Sequence, residues 1–234
     1  MPIQEVRSAP GTGPDRRPPM ISSRPAPGRD CPDCPRLVAF REAARAKEPH
    51  WHNAPVPSFG DPRARLLVVG LAPGLGGANR TGRPFTGDGA GFTLYPALAR
   101  FGWTHGRFEA RMDDGLELVD CRITNAVRCV PPQNRPTGAE IATCRRFLEG
   151  EILTEPRPAA VLALGRIAHD SVIRALGRKP SAHPFAHGAL HEMASGLLVA
   201  ASYHCSRYNM NTGRLTEPML DAVLEALRRR LDAR

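Results

Sequence analysis

Four short apolar runs constrain this chain more than any other feature: residues 65–70 (RLLVVG), 116–124 (LELVDCRIT), 159–165 (AAVLALG) and 197–203 (LLVAASY). Each is nearly continuous in apolar residues instead of alternating with polar ones, as strands buried on both faces require. The stretches between them carry helical patterns at about residues 93–101, 139–153, 167–176 and 217–231. Strands alternating with helices predict an α/β fold, a parallel sheet covered by helices. Thr137 with Glu140 three residues later is a capping-box pattern and sets one helix start.

The chain has 234 residues, enough for one well-buried core. Residues 1–28 hold seven prolines and four arginines with few large apolar side chains, and are expected to be a disordered basic tail. The expected domain is then 29–234. No run reaches the roughly 18 to 20 apolar residues of a bilayer span, so a cytoplasmic protein is expected. A formal net charge of +9 attracts polyanions such as nucleic acid.

In open α/β sheets, ligands bind beyond the carboxyl ends of the strands. The first run leads into a Gly-rich segment, residues 70–88, that carries Phe85 and Asp88. It matches neither a phosphate-binding P-loop nor a dinucleotide fingerprint. A loop of this kind suits a pocket that stacks a planar group beside a carboxylate. Asn125 follows the second run, Gly165 and Arg166 close the third, and His204 follows the fourth. Phe85, Asp88, Asn125, Asn134 and His204 should therefore gather at one sheet edge.

Cys31 and Cys34 form a Cys-x-x-Cys, with Cys129 and Cys144 far downstream. Four thiolates can hold zinc or a [4Fe–4S] cluster. The downstream pair lacks the short spacing of a zinc ribbon, which tilts the reading toward a cluster. Cys121, inside the second run, reads as a buried hydrophobe. Cys205 adjoins His204, but nothing else in the sequence suggests acyl transfer.

The chain resembles the iron–sulfur uracil-DNA glycosylases, most closely the family 5 (type b) branch. The resemblance is carried by Cys31-Pro-Asp-Cys34-Pro-Arg-Leu-Val, Gly70-Leu-Ala-Pro-Gly, Asn79-Arg-Thr-Gly-Arg-Pro-Phe-Thr-Gly-Asp88, Ala126-Val-Arg-Cys129-Val-Pro-Pro-Gln-Asn134-Arg-Pro-Thr, Ala182-His-Pro-Phe-Ala-His-Gly188 and Ser202-Tyr-His204-Cys-Ser-Arg. It implies a three-layer αβα sandwich with a central four-stranded parallel sheet. It implies a [4Fe–4S] cluster on Cys31, Cys34, Cys129 and Cys144, catalysis centred on Asp88, Asn134 and His204, and Phe85 stacked on an extruded base. Ala72 agrees with the branch's lack of a polar water-positioning residue in that motif. Asn125 departs from the Ala often found there and is shared with family 4, which uses an Asn to read uracil; Cys205-Ser-Arg departs from the Pro-Ser of many relatives.

On this reading the chain is a monofunctional glycosylase that removes uracil, with hypoxanthine and xanthine as further candidate bases, from single- or double-stranded DNA as a monomer. His204, Asn125 and backbone amides near Gly70 face the leaving base, and Asp88 with Asn134 faces the sugar or its attacking water. Arg80, Arg83 and Arg207 hold phosphates. No lysine stands in the motifs where an imine-forming nucleophile would be expected. The rival readings are a family 4-like, uracil-restricted glycosylase and a non-catalytic cluster- or zinc-stabilised nucleic-acid-binding module.

Overall fold

The computed structural model describes residues 26–233. Almost all of the expected basic tail is residues 1–25, outside the described residues. The chain opens with α1 (Pro35–Lys47), then β1 (Phe59–Gly60), β2 (Leu66–Gly70), α2 (Ala78–Thr81), α3 (Gly91–Arg100), β3 (Thr104–His105) and β4 (Glu117–Leu118). There follow β5 (Cys121–Asn125), α4 (Gly138–Leu153), β6 (Ala160–Leu164), α5 (Arg166–Ala175), β7 (Leu190–Glu192), β8 (Leu198–Ser202), α6 (Arg207–Asn211) and α7 (Glu217–Asp232).

The main sheet has the order β1-β5-β2-β6-β8-β7. Its four central strands are parallel, and β1 and β7 pair antiparallel at the two edges. Side chains alternate between faces along a strand, and the core divides accordingly. Leu66, Val68, Leu162 and Ala200 pack with Leu94 and Leu98 of α3 and Leu220, Leu224 and Leu227 of α7. Leu67, Val69, Val161 and Val199 pack with Leu148 and Ile152 of α4 and Val172 and Ile173 of α5. This is the expected three-layer sandwich around four parallel strands.

The run 116–124 is not one strand. Glu117–Leu118 pairs with β3 in a separate small sheet, and the chain turns at Asp120, at φ +50, before β5 begins. The Asp120 carboxylate accepts the Arg65 backbone amide at 2.8 Å and its Nε at 2.7 Å. The break thus clamps the entry to β2 beside the start of β5. The capping box forms as expected: Thr137 Oγ1 accepts the Glu140 amide, and Glu140 accepts the Thr137 amide. Arg36 of α1 donates to both Glu140 oxygens, at 2.8 and 2.7 Å, tying α1 to the start of α4.

A buried ion network joins β5, the segment after it and α4. Glu151 accepts from Arg122 at 2.8 Å and from Arg128 at 3.2 Å, and Ser58 donates to it. Burial works to raise the Glu151 pKa, but these donors hold it down at about 2, against an ordinary 4.5. The stabilisation is therefore complete above about pH 4.5 and lost as the pH falls toward about 2. Glu151→Ala deprives buried Arg128 and partly buried Arg122 of their carboxylate and should lower unfolding stability by about 3–5 kcal/mol at pH 7. Urea melts should show its deficit against the native chain shrinking in acid; equal stability at pH 7 would mean that the network carries no load.

Candidate active site

The carboxyl ends of the parallel strands surround a cleft of about 510 Å³. Phe85, Asp88, Asn125, Asn134, His204 and Arg207 all line it, with Ala72, Pro73, Gly165, Ile167 and Tyr208 among the rest of its wall. Five of these were expected from strand ends, and Arg207 from the loop that follows His204.

Gly70 lies beneath the cleft, not in its lining. A Cβ there would stand 2.4 Å from Asn125 Oδ1 and 2.7 Å from Phe85 Cζ. Only glycine lets both side chains lie over the end of β2. Phe85 is buried and held at φ +53, a conformation costly for a bulky residue. Gly91 makes room for it, since a Cβ at that position would come 1.9 Å from the Phe85 carbonyl oxygen. The Asp88 carboxylate accepts the Ala90 amide at 3.1 Å and rests against Gly77.

His204 enters from the end of β8, and its carbonyl accepts from the Asn209 side chain at 2.7 Å. Its ring stacks toward Phe85 with centroids 5.8 Å apart and planes 27° apart. Burial pushes the imidazole pKa below its ordinary value, and Asp88 pulls it partly back. The Asn125 side chain is buried and lines the cleft, its Oδ1 lying over Gly70. Asn134 reaches the rim from an exposed turn, Pro132–Asn134, in which Gln133 and Asn134 both have positive φ. Arg207 is exposed and lies across Gly89 at the mouth, beside Tyr208, which is 72% exposed.

The three arginines part ways. Arg80 is exposed on α2 and reaches the Gly87 carbonyl at 3.5 Å, beside the Asp88 loop but outside the cleft wall. Arg83 departs from expectation altogether. Its side chain is 2% exposed and donates twice to Asp114, at 2.8 and 2.6 Å, among the rings of Phe59, Tyr95 and Phe108. Those hydrogen bonds hold the Asp114 carboxyl well below the usual range. Arg83 is a buried brace for the loop and is not available to a phosphate. Cys205 is wholly buried, and burial pushes its thiol up to about 12, so no thiolate stands beside His204.

Sequence reading missed Ile167 and Tyr208, both exposed at the cleft. An exposed apolar residue directly after a strand end was the signal available for Ile167. Cys31, Cys34, Cys129 and Cys144 line a separate small hollow with Leu37, Val127 and Phe147, and Ala72 of the cleft wall packs against the same cluster. All four are free thiols. Among the described residues, no group of three or more His, Cys, Asp or Glu is placed to hold a single metal ion.

The family model of the uracil DNA glycosylase superfamily matches residues 57–228. The chain is 47% identical over 205 residues to a type-5 uracil-DNA glycosylase of Thermus thermophilus, covering 85% of this chain and 93% of the relative. It is 43% identical over 204 residues to one of Pyrobaculum aerophilum, covering 86% and 87%. A type-4 uracil-DNA glycosylase of the same archaeon is 33% identical over 153 residues, covering 64% and 63%. The chain belongs to the uracil DNA glycosylase superfamily, in the branch of its type-5 relatives.

The geometry predicts how His204 titrates. Asp88→Asn removes the attraction that favours the imidazolium, so the His204 pKa should fall further below the ordinary imidazole value. An NMR titration of the ring reads this directly, and an unchanged or higher value would show that the carboxylate does not act on the ring.

Proposed function

We propose that this chain excises uracil from DNA by hydrolysing the N-glycosidic bond, with Asp88, Asn134 and His204 as the catalytic groups. The observation that carries the reading is the convergence, in one cleft, of a stacking ring, a buried amide, an imidazole and a carboxylate. A base inside a duplex is unreachable, so the nucleotide must swing out at an unstacking cost of about a few kcal/mol, least for a mismatched base. Phe85 offers the face against which the extruded ring stacks.

Bond cleavage builds negative charge on the base and positive charge on the sugar. His204, kept neutral near pH 7 by burial, donates a hydrogen bond to the departing base. Backbone amides near Gly70 assist on the same side. Asp88, with Asn134 at the rim, stabilises the sugar cation or orients the attacking water. The chain has two lysines, Lys47 and Lys179, and neither lines the cleft. Among the described residues no amine lines the cleft to form an imine, which supports hydrolysis without strand cleavage. Arg207 at the mouth and exposed Arg80 beside it supply phosphate contacts.

The Asn125 amide offers one donor and one acceptor. Uracil presents the matching pair at N3–H and O4, whereas cytosine presents it reversed, at N3 and N4–H, so an amide held in one orientation tells them apart. Hypoxanthine and xanthine carry the same pair on their larger rings, so the amide favours deaminated bases as a class. The cleft is complete within one chain, which supports action as a monomer, on single- or double-stranded DNA in the cytoplasm. Among the described residues no helix is long and apolar enough to cross a membrane. Residues 29–234 act as one domain on this reading.

The four-thiol hollow suits an anionic cluster. Arg41 is buried there, donates to Cys129 Sγ at 3.6 Å and leaves its Nε without a partner. A buried cation needs an anion beside it. The Arg128 amide points at Cys144 Sγ at 3.4 Å. Burial pushes the thiols up, Cys34 and Cys129 to about 11, so loading the site must release protons. A [4Fe–4S] cluster on Cys31, Cys34, Cys129 and Cys144 would cross-link α1, the segment after β5 and α4.

The decisive assay is incubation with duplex DNA containing one uracil, followed by alkali. Alkali-dependent cleavage is expected; cleavage before alkali would mark a lyase. Asp88→Ala and His204→Ala should each slow excision by about 10²- to 10³-fold, and native rates from either would remove that residue from the mechanism. Excision of hypoxanthine and xanthine in the same assay separates the broad reading from a uracil-restricted one.

The cofactor has its own test. Purified protein should contain iron and acid-labile sulfide in equal amounts and absorb broadly in the visible range. Cys129→Ala should lose both and melt at a lower temperature, while zinc in place of iron would refute the cluster.

A further inference from the structure

His204 owes its place to contacts on both sides of it in the chain. On one side the Asn209 side chain holds its carbonyl at 2.7 Å. On the other, the backbone amide of Tyr203 donates to His187 Nδ1 at 3.2 Å. The rings of His187 and Tyr203 stack at 5.2 Å with planes 15° apart. The segment that carries His187 is itself anchored. His169, wholly buried on α5, bonds the His183 carbonyl through Nε2 at 2.8 Å. Gly188 donates to the Ala201 carbonyl at 2.8 Å, and Ala201 donates back to Ala189 at 3.0 Å.

A backbone N–H can only donate, so His187 Nδ1 must be the acceptor in this pair. The ring is then neutral, with its proton on Nε2. We infer that His187 is a positioning residue for the excision reaction: by accepting the Tyr203 amide, it pins the end of β8 and so aims His204 into the cleft. This rests on the reading of His204 as the base-side donor. It touches neither substrate nor reacting atoms itself.

The arrangement makes positioning depend on protonation. A proton on Nδ1 would face the Tyr203 N–H, and the contact would turn from attractive to repulsive. The surroundings of the ring are few. Tyr203 faces it from the end of β8, with the Arg214 guanidinium 4.9 Å from the centroid of that tyrosine ring. Ser202 Oγ lies 3.4 Å from Nδ1, and the Met219 backbone faces the ring from α7. Burial keeps His187 below the ordinary imidazole value, while the Met219 backbone works the other way. The neutral acceptor therefore prevails at neutral pH and is lost in acid.

The experiment compares His187→Phe, which keeps a stacking ring and removes the acceptor, with His187→Asn, which places a non-titrating oxygen near Nδ1. Both are made in the native chain, and His187→Phe also in a His204→Ala background. Single-turnover excision of uracil is followed from acid to neutral pH. His187→Phe should lower the single-turnover excision rate at saturating enzyme by about 10- to 100-fold at all pH values, the scale of a misplaced catalytic group, with the Kd for DNA unchanged. The native rate should fall in acid; His187→Asn should restore most of the neutral-pH rate and remove part of that fall. His187→Phe should cost nothing further when His204 is already Ala.

A native rate from His187→Phe overturns the inference, as does an equal loss in both backgrounds. So does a His187→Asn variant that keeps the whole acid fall or is as slow as the phenylalanine. A fast His204→Ala enzyme would instead defeat the reading of His204, and with it the route through which His187 acts. Should His187→Phe fail to fold, the pH profiles of the native and His187→Asn enzymes still decide.

Discussion

Parallel pairing of β5, β2, β6 and β8 is the constraint from which the rest of this molecule follows. A parallel strand cannot be joined to its neighbour by a tight turn, so each connection must cross over through a helix. The crossovers cover both faces, which is why every residue of β2, β6 and β8 is buried. They also send all four carboxyl ends to one edge. There the chain has no ladder partner ahead of it, and its loops are free to carry chemistry. The register sets Gly70 beside Asn125 across β2 and β5, and the missing Cβ at Gly70 lets the amide and the Phe85 ring meet over one strand end.

Charge is deployed in the opposite way. The sequence is strongly basic, yet several arginines are spent inside the fold. Arg83 binds Asp114, Arg122 and Arg128 share Glu151, and Arg41 is sealed in beside the thiols. A guanidinium offers five donors in a planar fork, so it can satisfy two carboxylate oxygens and still stack on rings. That makes it a strut as readily as a phosphate grip. Net charge therefore describes the field around the molecule and leaves open which residues meet DNA.

The distinction explains what the sequence made legible. Continuous apolar runs have one stable use at this length, so the four central strands and their helices were readable, as were the residues directly after each strand. Arg83 was not, because its burial depends on Asp114, 31 positions away, and on three rings from separate segments. The split of run 116–124 turns on one residue, Asp120, whose carboxylate finds Arg65 only once the sheet exists. α1 escaped because it buries only Leu37 and Arg41 and so carries no apolar stripe. The edge strands β1 and β7 span two and three residues and have no pattern long enough to read.

The two ends of the site are also linked through the backbone. Asn125 closes β5, and the next residues run straight to the thiol hollow at Cys129. Along the way the Ala126 and Val127 amides donate to the Gly70 and Leu71 carbonyls at 2.9 Å each, and Val56 donates to the Arg128 carbonyl at 2.7 Å. The Arg128 amide then meets Cys144 Sγ, while its side chain joins the Glu151 network. Each residue of this bridge is tied to a neighbouring segment, so it has little freedom to shift alone. A cleft that must hold a strained Phe85 and a buried amide over one strand end needs a stiff floor. The thiol hollow, the buried ion network and the end of β2 supply it from three directions.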